Sequence, residues 1–334
     1  MTVQPRIADP AQGRAAGRAQ RVAAVDCGTN SLRLLIADAD PGTGQLTDLD
    51  RRMEIVRLGQ GVDATGRLAA EALERTFRVL SGYARAIRDS GAAVRMVATS
   101  ATRDAANAAE FIRGVTEILG VPPEVVTGAE EAALSFTGAT AELGSDRFEP
   151  PYLVVDIGGG STEFVLGEGA EPGRPAGQLA AISVDIGCVR LTERHLRGDP
   201  PGQAQLAAAA SDIDAALAQV AASVPVSAAR TLVGLAGSVT TVAGMAMQLS
   251  RYDPGVIHHA RIAAGQVHGI TAGLLRQTRS ERAAIPVMHP GRVDVIGAGA
   301  LILDRVLDRF GFAEVVASEH DILDGIAWSI AGRS

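Results

Sequence analysis

Val25-Asp26-Cys27-Gly28-Thr29-Asn30-Ser31 and Val155-Asp156-Ile157-Gly158-Gly159-Gly160-Ser161 are two versions of one stretch, one in each half of the chain. Asp aligns with Asp, the first Gly with Gly and Ser with Ser. Each copy follows an apolar run (Val22 to Val25, Tyr152 to Val155) and precedes another (Leu32 to Ala37, Phe164 to Leu166). A strand, a tight Asp/Gly/Ser turn and a second strand predict a hairpin. Glycine lets backbone N–H groups approach an anion, and the hydroxyls add donors. The carboxylate is suited to hold a divalent cation or orient a water. Two such loops point to two related half-molecules facing each other across a phosphate-filled cleft.

Outward from the loops, strands alternate with helical spacing. A strand is expected at Arg51 to Arg57, a helix over Leu68 to Arg88, a strand at Val94 to Ala98, a helix through Phe111 and Leu119, and a short strand at Val125-Val126. A helix then follows from Thr127 to about Leu143. The polar, proline-bearing Gly144 to Pro151 reads as a linker and hinge. After it come a loose turn over Gly167 to Gly177, strands at Ala181 to Val184 and Thr231 to Leu235, and helices at Val189 to Leu196 and up to Ala222. Further helices are expected at Thr240 to Leu249, Val267 to Thr278 and Asp294 to Phe310. This predicts an α/β protein. Residues 21–143 form one domain and 152–334 the other, with the last helix able to pack back on the first. Residues 1–20, rich in Ala, Gly, Gln and Arg without an apolar core, read as a disordered extension.

The chain has 334 residues, enough for two sizeable cores, and no apolar run of the roughly 18 residues a membrane span requires. All 31 basic residues are arginine, which excludes P-loop, protein-kinase and Schiff-base lysine chemistry. Phosphate must be held by backbone N–H groups, hydroxyls, arginine or a metal. A net charge of −7 and 3% aromatics disfavour nucleic acid as a partner. Cys27 and Cys188 are too few for a disulfide scaffold and fit a reducing cytoplasm. Cys27 lies in the first loop without a histidine partner motif, so it reads as a small buried side chain. None of the six histidines has metal-ligand spacing, and His258-His259 reads as loop.

Five motifs stand in order: the first loop, Thr99-Ser100-Ala101-Thr102-Arg103-Asp104-Ala105, Gly128-Ala129-Glu130-Glu131-Ala132, Asp156 to Glu163, and Gly237-Ser238. Together they resemble the exopolyphosphatase / guanosine pentaphosphate phosphatase family, a branch of the actin, chaperone and sugar-kinase superfamily, from about residue 21 onward. The resemblance implies two ribonuclease-H-like domains of the actin-like ATPase fold, Mg²⁺ as cofactor, and a homodimer. It implies hydrolysis of the terminal phosphate of inorganic polyphosphate or of guanosine pentaphosphate. Longer members carry additional C-terminal domains, so the resemblance implies a short form. Ser318 to Gly325 departs from the pattern in lacking an arginine before its acidic-Gly pair, and receives no substrate role.

On this resemblance Glu131 is the general base, with Glu130 the alternative, and Arg103 neutralises the leaving chain. Asp26 and Asp156 hold Mg²⁺, with Glu163 near the second loop. Gly28, Thr29, Asn30, Ser31, Gly158, Gly159, Gly160, Ser161, Thr162, Gly237 and Ser238 supply donors to phosphate oxygens. The residues alone leave other readings open: carboxylates at a helix start favour its dipole, and an Asp in a turn caps its own backbone. A kinase using ATP shares the fold, and a non-catalytic polyphosphate or nucleotide sensor would keep the loops. Scarce aromatics tilt the reading towards polyphosphate over a guanine nucleotide.

Overall fold

The structure, a computed structural model, describes residues 19–103, 105–143, 147–170 and 177–332. Residues 1–18 of the expected extension, Asp104, residues 144–146 of the expected linker and residues 171–176 of the expected turn lie outside them.

Both halves build the same sheet. β1 (Gln20–Cys27), β2 (Ser31–Asp40) and β3 (Gln45–Ile55) form an antiparallel meander, and β4 (Ala93–Ala98) joins β1 in parallel, followed by β5 (Glu124–Val125). The second sheet repeats this with β6 (Tyr152–Ile157), β7 (Thr162–Gly167) and β8 (Ala180–Val184) as the meander and β9 (Thr231–Leu235) parallel to β6. β10 (Arg261–Ala263) and β11 (Glu314–Ala317) complete it, in the order β10-β11-β9-β6-β7-β8. The central strands Val22 to Cys27 and Tyr152 to Ile157 are buried on both faces, which is why they read as unbroken apolar runs.

Two expectations need correction. β3 begins at Gln45, six positions before Arg51, because Gln45 to Asp50 is a polar edge strand without an apolar face to betray it. The second concerns the domain boundary. The Gly128–Thr140 helix, expected in the first domain, packs on β6, β7 and β8, and its Ala132, Phe136 and Ala139 bury with Tyr152, Val154 and Val165. In exchange, the Ile322–Ala331 helix packs on β1, β2 and β4, burying Ile326, Ala327 and Trp328 with Val22, Ala24 and Val97. The chain therefore enters the second lobe between Val125 and Gly128, not at 144–151, and returns between Ala317 and Ile322.

The exchanged helices cross in backbone contact. A Cβ on Gly138 would lie 1.8 Å from the Asp321 carbonyl oxygen, and one on Gly325 would lie 2.0 Å from that of Leu134. Only glycine permits this approach. It fixes the starts of both helices, Glu131 on one and Asp321 on the other, beside the two loops.

Candidate active site

A cleft with a cavity volume of about 100 Å³ opens between the lobes. The two loops make equivalent turns: the Gly28 amide donates to the Ser31 carbonyl at 3.0 Å, and the Gly158 amide to the Ser161 carbonyl at 3.1 Å. They also meet, since a methyl on Gly159 would sit 2.8 Å from Cβ of Thr29. Gly28, Thr29, Asn30 and Ser31 line the cleft from one side; Gly158, Gly159 and Ser161 line it from the other.

Gly237 and Ser238 line it as well, but not from a loop. The helix expected from Thr240 begins at Ala236, which turns directly out of β9 with φ +65°. Gly237 and Ser238 are thus in the first turn, where backbone N–H groups lack intrahelical acceptors and favour an anion. An alanine held at positive φ stores backbone strain of order 1–2 kcal/mol, which the packing around it must offset.

Carboxylates form the floor. Asp26 and Asp156 are buried at the ends of β1 and β6, and Glu131 is 8% exposed. Asp156 accepts from Ser135 Oγ at 2.8 Å and Glu163 from Ser183 Oγ at 2.7 Å. Burial first, then neighbouring negative charge, raises Asp156 to about 6 and Glu163 to about 7. Glu131 is pushed well above its ordinary value by burial and by Glu163, Asp156 and Asp26, against the pull of Arg103. Its Oε2 is buried and accepts no hydrogen bond from the described residues, with Arg103 Nη1 3.8 Å away. An orphaned oxygen in a surplus of buried negative charge fits a divalent cation and a water, because hard cations take carboxylate oxygens.

Other expected site residues take different places. Glu130 is exposed and closes a capping box with Thr127, accepting from its backbone N–H and hydroxyl at 2.9 Å each, so its carboxylate is spent on the helix start rather than on the cleft. Thr162 is fully buried and donates its hydroxyl to the Ile186 carbonyl at 2.6 Å, which removes it as a phosphate donor. Gly160 faces an adjoining hollow with Asp63 and Arg190, its carbonyl accepting from Arg190 Nε. Glu163 stands behind Asp156, and Arg103 stands behind Glu131, also donating to the Val126 carbonyl at 3.2 Å. Cys27 is buried, and burial beside Asp26 pushes its thiol far up, so it is no nucleophile.

Two cleft residues, Arg33 and Arg292, and Asp321 in the adjoining hollow escaped sequence reasoning. Arg33 donates to Asp26 Oδ2 through Nε at 2.9 Å and Nη2 at 2.7 Å, and its Nη1 pairs with Asp321. Asp321 lies in the segment denied a substrate role, and it also caps the Ile322–Ala331 helix. Arg292 lies over Gly237 and donates to Thr241 Oγ1 at 3.1 Å. Arg33 had a signal: it stands at the offset from Asp26 that Glu163 has from Asp156. Arg292, one arginine of many, at the end of the short Pro290–Arg292 turn of helix, had none.

The chain resembles known proteins along most of its length. It is 48% identical over 324 residues to Exopolyphosphatase 2 of Mycobacterium tuberculosis (strain CDC 1551 / Oshkosh), covering 93% of this chain and 99% of that one. Among solved structures, an exopolyphosphatase-like protein superposes with a TM-score of 0.88 at 43% identity, covering 94% of this chain and 99% of that one. The Ppx/GppA protein of Aquifex aeolicus superposes at 0.74 with 30% identity, covering 94% and 98%. The two lobes, each built on an antiparallel meander with a parallel strand added, are the two-sheet α/β architecture of these Ppx/GppA structures. The Ppx/GppA phosphatase family matches residues 35–334, and with the relatives above this shows that the chain belongs to that family of hydrolases.

Proposed function

We propose that the protein is an exopolyphosphatase that removes terminal phosphates from inorganic polyphosphate in a Mg²⁺-dependent reaction. The observation that carries this reading is the orphaned Glu131 Oε2, buried among carboxylates in a cleft lined by both loops. A base of raised pKa is suited to take a proton from an attacking water near neutral pH. The loop amides, the Ser31 and Ser161 hydroxyls and the first turn at Gly237 hold the terminal phosphoryl oxygens. Arg33 and Arg292 offset charge on the chain behind it.

Asp156 and Asp26 would hold Mg²⁺, with Glu163 supporting Asp156; when bound, the cation neutralises charge on phosphoryl oxygens. Asp26 Oδ2 is already engaged by Arg33, which leaves its other oxygen for that role.

Guanosine pentaphosphate presents the same terminal phosphoryl group. Among the described residues the cleft lining contains no Phe, Tyr or Trp, and only Tyr252 stands in the adjoining hollow, which favours polyphosphate over a stacked guanine. Phosphate release from both substrates in parallel, with Mg²⁺ and with EDTA, tests the reading. Metal-dependent release with a higher kcat/KM for polyphosphate supports it, and release only from the nucleotide favours the second substrate. Binding without release points to a sensor, and transfer from ATP to an acceptor points to a kinase.

A further inference from the structure

Away from the cleft's floor, three chain segments bring Glu142, His258 and His320 together, with one ligand atom from each lying within 4.8 Å of the others. Glu142 follows the Gly128–Thr140 helix, His258 closes the short Pro254–Ile257 helix, and His320 lies between β11 and the Ile322–Ala331 helix. The Glu142 carboxylate Oε2 stands 3.3 Å from His320 Nδ1 and 4.0 Å from His258 Nε2. The His258 and His320 rings are 4.4 Å apart, and His259 stacks on His258 at 3.7 Å. His259 is held at φ +61°, a left-handed backbone that few side chains adopt, and its amide donates to the Ala317 carbonyl at 2.7 Å. Sequence spacing gave no hint of this cluster, because its members come from distant parts of the chain.

His258 Nε2 is buried and has no hydrogen-bond partner among the described residues. The buried Nε2 faces a carboxylate and a second imidazole without an acceptor of its own, and once its proton moves to Nδ1 it offers a lone pair that a metal ion would take. We propose that Glu142, His258 and His320 form a binding site for a divalent transition metal of the Zn²⁺ type, distinct from the Mg²⁺ site of the cleft. Two imidazoles and one carboxylate suit Zn²⁺ or Co²⁺, whereas Mg²⁺ prefers oxygen donors. Ligand bonds of about 2.0–2.2 Å place neighbouring donor atoms roughly 3.4 Å apart in a tetrahedron. The Glu142–His320 separation of 3.3 Å already matches this, the Glu142–His258 separation of 4.0 Å has to close slightly, and the two histidine nitrogens, within 4.8 Å of each other, have to approach further, with water in the fourth position.

Two protons have to move. The one shared between His320 and Glu142 is released when the metal takes Nδ1. His258 Nδ1 accepts the Glu319 amide at 3.2 Å, so the neutral ring carries its proton on Nε2. Ligation through Nε2 shifts that proton to Nδ1 and breaks the amide contact. Metal binding would thus be felt in the 318–321 loop, whose Asp321 pairs with Arg33.

The test is a titration of the full-length protein with Co²⁺ and with Zn²⁺ in excess Mg²⁺, read by the Co²⁺ visible spectrum and by calorimetry. Saturable binding that survives excess Mg²⁺ and Asp156→Asn is expected, with His258→Ala and His320→Ala each weakening it by more than about 10–100-fold. Absence of binding, or full binding in both histidine variants, would overturn the proposal. X-ray absorption on the Co²⁺-loaded unmutated protein needs no variant to fold: two imidazole ligands support the site, and an all-oxygen shell refutes it.

Discussion

Asp156 and Glu163 face each other on paired strands β6 and β7, at the register position where Asp26 faces Arg33 in the first sheet. The duplication thus kept one aspartate twice but paired it with a cation in one copy and with an anion in the other. Like charges directly opposite in a sheet destabilise it. A proton or a metal ion relieves the second pair.

The pH dependence follows from that pair. Asp156 and Glu163 stand at about 6 and 7, above ordinary values of 3.8 and 4.5. A carboxyl raised in the fold contributes stability that is full below its unfolded value and is lost as pH rises through its folded value. These two groups should make the metal-free protein less stable as pH climbs from about 4 to about 7. Mg²⁺ replaces the lost protons, so its increase in Tm should be larger near pH 8 than near pH 5.5, roughly either side of that window. Thermal melts with Mg²⁺ and with EDTA at both values would check this; an equal increase at both would refute it.

Glu131 and Glu130, adjacent in sequence, should separate completely in kinetics. Glu131→Gln is expected to lower kcat by about 10²–10⁴-fold with polyphosphate binding retained. Glu130→Gln should leave activity and Tm nearly unchanged, because glutamine still closes the capping box. Thr127→Ala should cost about 1 kcal/mol in urea unfolding, the usual worth of an N-cap. Full activity in Glu131→Gln would remove the base assignment.

Arg33 bridges Asp26 and Asp321, so Arg33→Ala would leave two buried carboxylates facing each other. The expected cost is about 3–5 kcal/mol, as for other broken buried pairs. Arg33→Ala,Asp321→Asn should recover part of it, a coupling that a double-mutant cycle measures directly.

At the helix crossing, Gly138→Ala should destabilise by about 1–3 kcal/mol or more through overpacking against the Asp321 carbonyl. Gly82→Ala, inside the Ala70–Ser90 helix, where an added Cβ meets nothing within 4 Å among the described residues, is the matched control and should not destabilise. Urea midpoints of the two variants decide the point.

Both hairpins were legible because a tight turn needs glycine and because doubly buried strands read as apolar runs. Glu131 was legible through its place in a motif. Arg33 was within reach, two residues beyond the last residue compared between the loops. The span of the Ile322–Ala331 helix was not, although a last helix able to pack back on the first domain was expected: eight of its ten residues are buried, so it shows no polar face by which helical period is recognised. The home of the Gly128–Thr140 helix was hidden for a different reason. Apolar spacing reveals which face of a helix is covered, not which sheet covers it.

The exchange of covering helices has a consequence for how the molecule can be taken apart. A cut within 144–151 would give two fragments, each missing a sheet cover that the other carries in part or whole. The first would bare the face of β1 and β2 where Trp328 sits; the second would bare the face of β6 and β7 where Phe136 sits. Neither piece is a module. The ancestral repeat has become an interlocked pair, and its fragments should become soluble only when produced together.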